Sequence, residues 1–386
     1  MKNIVVCCDG TGNEIGIKMS NVLKLYRMLE KNDAQVVYYH PGVGTLGQRK
    51  TWGLIKQELK GFLGLATGYG LDDEVLSAYR FIAEYYYEEG DRIFLFGFSR
   101  GAYTVRVLAG FMHLLGLFRP HQLNYVGYAL TAYKRAASAG EDLRIAWDFQ
   151  KIVGSRIAPI KFIGVWDTVA SVIVPRPDRF YLPSLETLPY TNQNPTVEVF
   201  RQACAIDEFR RMFRLRRWNE DQEFKPNRFS TSQPKAQDES QVWFAGCHSD
   251  IGGGYPEGES GLSKFPLRWM IDEAKVHGLG INTAMVNDLV DGKPRKGSEH
   301  TYAPPDAAAK LHNSDVGFWR LLEWIPKRTR FREWPKRRSI FGLYLPRYEP
   351  RVIPDGARIH RSVLERMKLV PSYMPVNFPA EYDVER

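Results

Sequence analysis

Arg92-Ile-Phe-Leu-Phe-Gly-Phe-Ser99-Arg-Gly-Ala-Tyr103 joins three pieces that decide how the chain is read. The run from Ile93 to Phe96 is apolar and of strand length, and Ala102-Tyr-Thr-Val-Arg-Val-Leu-Ala109 follows with helix-compatible apolar spacing. Between them stands Gly97-Phe98-Ser99-Arg100-Gly101, a Gly-x-Ser-x-Gly turn. A strand, this turn and a helix are the setting in which a serine becomes a nucleophile. The turn is too tight for side chains at its two glycines, and it presents the serine Oγ to a cleft. The N–H groups that open the helix point toward developing negative charge. The bland alternative is a glycine-rich turn with an incidental small residue. The strand before it and the helix after it favour the catalytic reading.

Working outward, residues 3–8, 35–40, 92–98, 160–166 and 241–246 read as strands, the last being the final clear one. Residues 21–31, 71–88 and 102–116 read as helices, and 197–213 is also expected to be helical. Strands of Val, Ile, Phe and Tyr without polar alternation are buried on both faces. They imply a mostly parallel sheet flanked by helices. The expected architecture is therefore α/β and doubly wound, with its site beyond the carboxyl ends of the strands. Two segments break the alternation. The stretch at about 172–240 opens Pro-rich and aromatic and reads as an insertion over the site. From about Gly280 onward prolines are frequent and strand runs few. Residues 1–280 are thus the expected catalytic domain, and 281–386 a helical or irregular cap and C-terminal extension packed on it.

The 386 residues are 44% hydrophobic and 25% charged, as in soluble globular proteins. The apolar run within Met1–Asp9 is too short for a secretory signal and reads as the first core strand. The longest apolar stretch, 107–118, contains His113 and is too short to cross a bilayer. A cytoplasmic location is expected. Cys7, Cys8, Cys204 and Cys247 show no metal-ligand spacing and read as small core residues in a reducing compartment. No metal or other cofactor is expected. The net charge of +9 is concentrated in 319–351, where ten basic residues face three glutamates amid aromatic and aliphatic side chains. That mixture suits an anionic membrane surface, with Trp319, Trp324, Arg328, Arg330 and Trp334 as candidate lipid contacts. It equally suits a solvated basic face over a packed apolar one. No nucleic-acid module accompanies it, so no nucleic-acid partner is expected.

A serine nucleophile needs a base, an acid that orients the base, and an oxyanion hole. When the nucleophile sits on a strand-turn-helix elbow, the order along the chain is Ser, acid, His. His248 satisfies that order. It stands in Gly246-Cys-His-Ser-Asp-Ile-Gly-Gly-Gly254, just after the strand-like 242–245. His40 precedes the serine, and His360 is a late rival. Asp167, just past the strand 160–166, is the first candidate acid. Asp207 is a rival, although Arg210 or Arg211 is the expected partner for it, and Asp250 reads as the organiser of its own glycine loop. The oxyanion hole is expected to use the Arg100 N–H and the loop Asp9-Gly10-Thr11-Gly12, with Gly10 and Thr11 as donors. Asp-Gly-Thr after a strand also occurs in aspartate-nucleophile phosphatases, but their nucleophile position holds Cys7 here. A phosphate-binding P-loop is missing too, since no Gly-Lys-Ser/Thr follows.

Taken together, several segments resemble the α/β-hydrolase catalytic domain of type VI secretion phospholipase effectors. They are Cys8-Asp-Gly-Thr-Gly-Asn13, Tyr39-His-Pro-Gly-Val-Gly-Thr45, Gly70-Leu-Asp-Asp-Glu-Val75, Gly97-Phe-Ser-Arg-Gly-Ala-Tyr103, Gly164-Val-Trp-Asp-Thr-Val169, Ala205-Ile-Asp-Glu208 and His248-Ser-Asp-Ile-Gly-Gly-Gly-Tyr255. They run in order through roughly residues 1–280, and Ile359-His-Arg-Ser-Val363 adds a late match. The resemblance implies a Ser-Asp-His lipid esterase, carried onto Ser99, Asp167 and His248. It also implies signal-less export by a secretion machine, and with it a secretion-system or immunity partner. The expected activity is metal-independent cleavage of a carboxylic ester, that of a phospholipid or another acyl lipid. Esterase action on small soluble or carbohydrate esters is the alternative within the class, and a catalytically dead binding module the alternative outside it.

Overall fold

The computed structural model describes residues 1–10, 18–42, 70–87, 90–138, 144–169, 173–175, 183–185, 188–210, 212–227, 231–297, 300–314, 323–329, 332–334 and 338–386. Eight strands form its main sheet: β1 (Asn3–Cys8), β2 (Gln35–His40), β3 (Arg92–Phe98), β4 (Ile160–Trp166), β5 (Val197–Ala205), β6 (Asp238–Phe244), β7 (Ala357–His360) and β8 (Tyr382–Glu385). They lie in the order β8-β7-β6-β5-β4-β3-β1-β2, every neighbouring pair parallel. The chain winds outward from β1 to β2, then crosses to β3 and continues the other way. The crevice between the carboxyl ends of β1 and β3 is therefore a topological switch point, where ligands of open α/β sheets bind.

Burial on both faces explains the unbroken apolar strands. Ile4, Val6 and Cys8 of β1 and Ile93 and Leu95 of β3 pack on one face, with Tyr79 of α2 (Leu71–Tyr85), Leu108 and Phe111 of α3 (Arg100–Leu115) and Tyr133 of α4 (Val126–Ser138). Further along the chain lies α5 (Arg144–Val153). Val5 and Cys7 of β1 and Phe94 and Phe96 of β3 face the opposite side. There they meet Leu25 of α1 (Asn21–Met28), Met270 and Ile271 of α7 (Lys264–Val276), and Leu289 of α8 (Thr283–Leu289). A short α6 (His248–Gly252) follows β6, and α9 (Arg361–Leu369) connects β7 to β8. No described helix is long and apolar enough to cross a membrane.

Two expectations need correction. Residues 197–205 form β5, not a helix, and lie inside the sheet between β4 and β6. The segment carries Val197, Val199 and Phe200, whose branched and aromatic side chains fit a pleated surface. Its polar members are absorbed by neighbours: Arg201 pairs with Asp238 and Glu273, and Glu198 with Lys161. Nor do strands end near residue 246. The C-terminal region adds β7 and β8 to the same sheet, and Ile359 of β7 packs with Trp243 of β6 in a third apolar cluster. Outside the sheet, residues 173–175 pair antiparallel with 183–185, and 223–224 with 235–236.

Candidate active site

Ser99 stands at the end of β3 with φ 57° and ψ −120°, a backbone conformation that an L residue holds only under constraint. The constraint is visible at the glycines. A Cβ on Gly101 would come within 2.1 Å of the Cys8 carbonyl oxygen, and one on Gly97 within 2.5 Å of the Gly101 carbonyl oxygen. The turn is therefore pressed against the end of β1. Ser99 N–H donates to the Trp166 carbonyl at 3.1 Å, which fixes the turn to β4 as well.

His248 opens α6, two residues after Gly246, whose φ of 128° turns the chain back over the sheet. Its Nε2 lies 2.7 Å from Ser99 Oγ and its Nδ1 2.5 Å from Asp167 Oδ2. With Nδ1 carrying the proton donated to the carboxylate, Nε2 is the acceptor for the serine hydroxyl. The imidazole lies against Phe98, centroids 4.7 Å apart, and edge-on to Phe213 at 4.9 Å. Its backbone N–H donates to Glu208 Oε2 at 3.1 Å, and Arg210 holds that carboxylate through two side-chain bonds of 2.8 Å. Burial lowers the affinity of His248 for a second proton, and Asp167 opposes that effect without cancelling it. A neutral imidazole is what a general base needs.

Asp167 follows β4 directly, at φ 41° and fully buried. Burial alone would raise its carboxyl. The Arg351 guanidinium and the bond to His248 overcome this and hold it below the ordinary carboxylate range. The rival residues are engaged elsewhere. Asp207 Oδ2 accepts from Gly246 N–H and Tyr373 Oη, both at 2.8 Å; of the two expected arginine partners, Arg210 pairs with Glu208 instead, and Arg211 lies outside the described residues. Asp250 accepts the Cys247 N–H within its own loop, and its other oxygen bonds His312 Nδ1 at 2.6 Å. His40 accepts Gly42 N–H, and His360 caps α9 through Ser362.

The first-strand loop is built around Asp9, which accepts Gly10 N–H at 2.7 Å, the Tyr39 hydroxyl at 2.9 Å and the Ser20 hydroxyl. Gly10 N–H is thereby engaged within its own loop, and Thr11 lies outside the described residues. Arg100 opens α3, so its N–H is one of the donors that a helix leaves without an intrahelical acceptor. Its side chain is buried and paired with Glu74 at 3.2 Å.

Of the basic-aromatic candidates, Trp324 is 56% exposed and stacked by the Arg347 guanidinium at 4.7 Å. Arg328 is exposed and Trp334 half-buried, whereas Trp319 and Arg330 lie outside the described residues. Lys327–Arg328 pairs antiparallel with Leu343–Tyr344, and the connection between them exposes Ile340 and Phe341.

Residues 2–273 match the family described as T6SS, phospholipase effector Tle1-like, catalytic domain. The chain belongs to that family. A curated relative, an uncharacterised protein of Saccharomyces cerevisiae, is 36% identical over 231 residues, which cover 55% of this chain and 32% of the relative. The chain thus spans about a third of that protein's length. Among solved structures, an uncharacterised protein from Pseudomonas aeruginosa aligns at 20% identity and TM-score 0.40, over 72% of this chain and 46% of the other. A Tle1 effector bound to the VgrG spike of the type VI secretion system aligns at 19% identity and TM-score 0.35, over 67% and 52%.

The Tle1-like span contains Ser99, Asp167 and His248 but stops well short of Arg351, the residue that the sequence reading missed. From sequence Arg351 is one of the ten basic residues of 319–351. Instead it is 3% exposed and donates to Asp167 Oδ1 at 2.6 Å and Oδ2 at 3.0 Å. Glu208 was also missed as a support of the His248 backbone. The short spacing from Glu208 to Arg210 was its one available signal, because a carboxylate buried there needs a cation close by.

Proposed function

We propose that the chain is a serine hydrolase of carboxylic esters, acting on phospholipid or other acyl-lipid substrates. The observation that carries this reading is the continuous relay Ser99 Oγ, His248 Nε2, His248 Nδ1, Asp167 Oδ2, with spacings of 2.7 and 2.5 Å. Ser99 Oγ attacks the acyl carbonyl while its proton passes to His248 Nε2. Asp167 stabilises the imidazolium that forms and keeps the ring from turning. The tetrahedral oxyanion is met by the Arg100 N–H and by a second donor, for which Thr11 is our candidate. Collapse expels the alcohol, which takes the proton from Nε2 and leaves an acyl-serine. Water, deprotonated by the same nitrogen, releases the fatty acid and restores the hydroxyl.

Lipid substrates imply a surface from which to draw them. Phe341, fully exposed, and the neighbouring Ile340, with the exposed Arg328 and Arg338 close in the same connection, make an apolar tip with basic neighbours, suited to an anionic bilayer, and the exposed Trp324 beside Arg347 adds a further aromatic contact. We take Trp334, and with it Trp319 and Arg330, as further lipid contacts. Family membership favours a secretion-system partner, with an immunity protein as its antagonist.

A hydrolysis panel tests the reading: phosphatidylglycerol and phosphatidylcholine vesicles, triacylglycerol emulsion and 4-nitrophenyl butyrate, each with wild type and Ser99→Ala. Fatty-acid release from the phospholipids that Ser99→Ala abolishes is the expected result. Activity confined to the soluble ester would favour the small-ester alternative, and no turnover anywhere the dead-module one. Phe341→Asp should weaken association with phosphatidylglycerol vesicles while leaving butyrate hydrolysis unchanged.

A further inference from the structure

We infer that Arg351 is a positioning residue for this reaction, clamping the Asp167 carboxylate and moderating its hold on His248. The inference deepens the triad reading above and rests on it. A carboxylate offers about four lone-pair directions. At Asp167 each has a donor: Ala205 N–H at 3.0 Å and Arg351 Nη1 at 2.6 Å on Oδ1, His248 Nδ1 at 2.5 Å and Arg351 Nη2 at 3.0 Å on Oδ2. Two parallel bonds from a planar guanidinium fix the plane of the carboxylate as well as its position. That plane decides where Oδ2 points, hence where the imidazole sits and how Nε2 meets Ser99.

The clamp is itself held in place. Arg351 Nη1 donates to the Ala205 carbonyl at 3.1 Å and Nη2 to the Phe213 carbonyl at 2.6 Å. Asn377 ties the Arg351 carbonyl to that of Ile206, donating to each at 3.0 and 3.1 Å. The last residues before β8 thus reach the triad through one side chain.

Charge gives the second consequence. A buried, uncompensated carboxylate would favour the imidazolium and draw the base toward its protonated form, an effect that Glu208 adds to and that burial and Arg210 oppose. The Arg351 guanidinium acts through Asp167, whose charge it compensates. Asp167 stays ionised while His248 remains neutral, able to accept the serine proton. A residue serving only to fill this space would not affect the protonation of His248.

The experiment is the pH profile of 4-nitrophenyl butyrate hydrolysis by wild type, Arg351→Gln, Arg351→Lys and Ser99→Ala, with melting temperatures recorded alongside. For Arg351→Gln, kcat should fall about 10²-fold with KM little changed, since the misplacement lies in the relay and not in the substrate site. The acidic limb of its kcat profile should move up by about one pH unit as His248 gains proton affinity. Arg351→Lys retains the charge but loses the fork, so its kcat should fall while its acidic limb stays near the wild-type position. If Arg351→Gln does not fold, the lysine variant decides: wild-type kcat in a folded protein overturns the inference. An unmoved limb in folded Arg351→Gln also overturns it. Should Ser99→Ala still turn over, the triad reading falls and takes the inference with it. A dead Ser99→Ala beside a fully active Arg351→Gln removes the inference alone.

Discussion

The ends of β4 and β5 lie side by side, and each is followed by a buried aspartate, yet the two carboxyls are poised in opposite directions. Asp167 faces Arg351 and His248 and is held below its ordinary range. Asp207 receives the Gly246 N–H and the Tyr373 hydroxyl, and burial outweighs these and pushes it up to about 6. The difference shows that burial by itself does not make a triad acid. It favours a neutral carboxyl, and a cation within bonding distance is needed to keep the group charged where the imidazole requires it. Asp207 instead ties the loop after β5 to the one after β6, a scaffold that serves His248 from behind.

The largest expected effect that separates the two comes from Asp167→Asn, which should lower kcat on the order of 10³- to 10⁴-fold, as wrong-tautomer variants of such triads do. Steady-state turnover of 4-nitrophenyl butyrate by the folded protein checks it, and near-normal turnover would erase the distinction. Glu208→Gln acts at one remove: it weakens the Arg210 pair and the support of the His248 backbone, so a loss of about 10-fold in kcat is expected. Asp207→Asn should leave kcat within about 3-fold of wild type and cost about 1 kcal/mol of stability at acidic pH, from its altered bonds to Gly246 and Tyr373. If that variant alone abolished turnover while still folded, the roles of the two aspartates would be exchanged.

The smallest effect is a sign. Asp207 has a folded pKa near 6, above the unfolded value of about 3.9, so its stabilising contribution is complete below the unfolded value and lost as pH rises through about 6. The melting temperature of wild type should therefore fall relative to that of Asp207→Asn from pH 4 to pH 7. Asp167 is depressed, so its contribution is present above the unfolded pKa and lost as pH falls below it. A wild type that gained stability relative to Asp207→Asn as pH rose would contradict the contrast.

The same two strands show what the sequence could reveal. β1, β3 and β4 are legible because both faces are buried and nearly every residue is apolar, as in Ile93-Phe-Leu-Phe96, and β2, half-buried at the sheet's edge, is marked by its Val36-Val-Tyr-Tyr39 run. β5 reads as a helix from sequence because Glu198, Arg201 and Gln202 break its pattern, and their partners Lys161, Glu273, Arg106 and Thr168 come from distant segments. β7 and β8, the last two strands at one side of the sheet, are four residues each, too short for a period to declare itself. At the site, Ser99, Asp167 and His248 each follow a strand and carry their signal locally. Arg351 does not. Its role is defined by a carboxylate 184 positions away, and within a run of basic residues nothing local marks it as the buried one.

Labelling with a fluorophosphonate reagent followed by peptide mass spectrometry tests whether Ser99 is the nucleophile. One stoichiometric adduct is expected, on the tryptic peptide Ile93–Arg100 that carries Ser99, and none in folded Ser99→Ala. Failure of the folded wild type to react, or an adduct on another peptide that persists in Ser99→Ala, would contradict it.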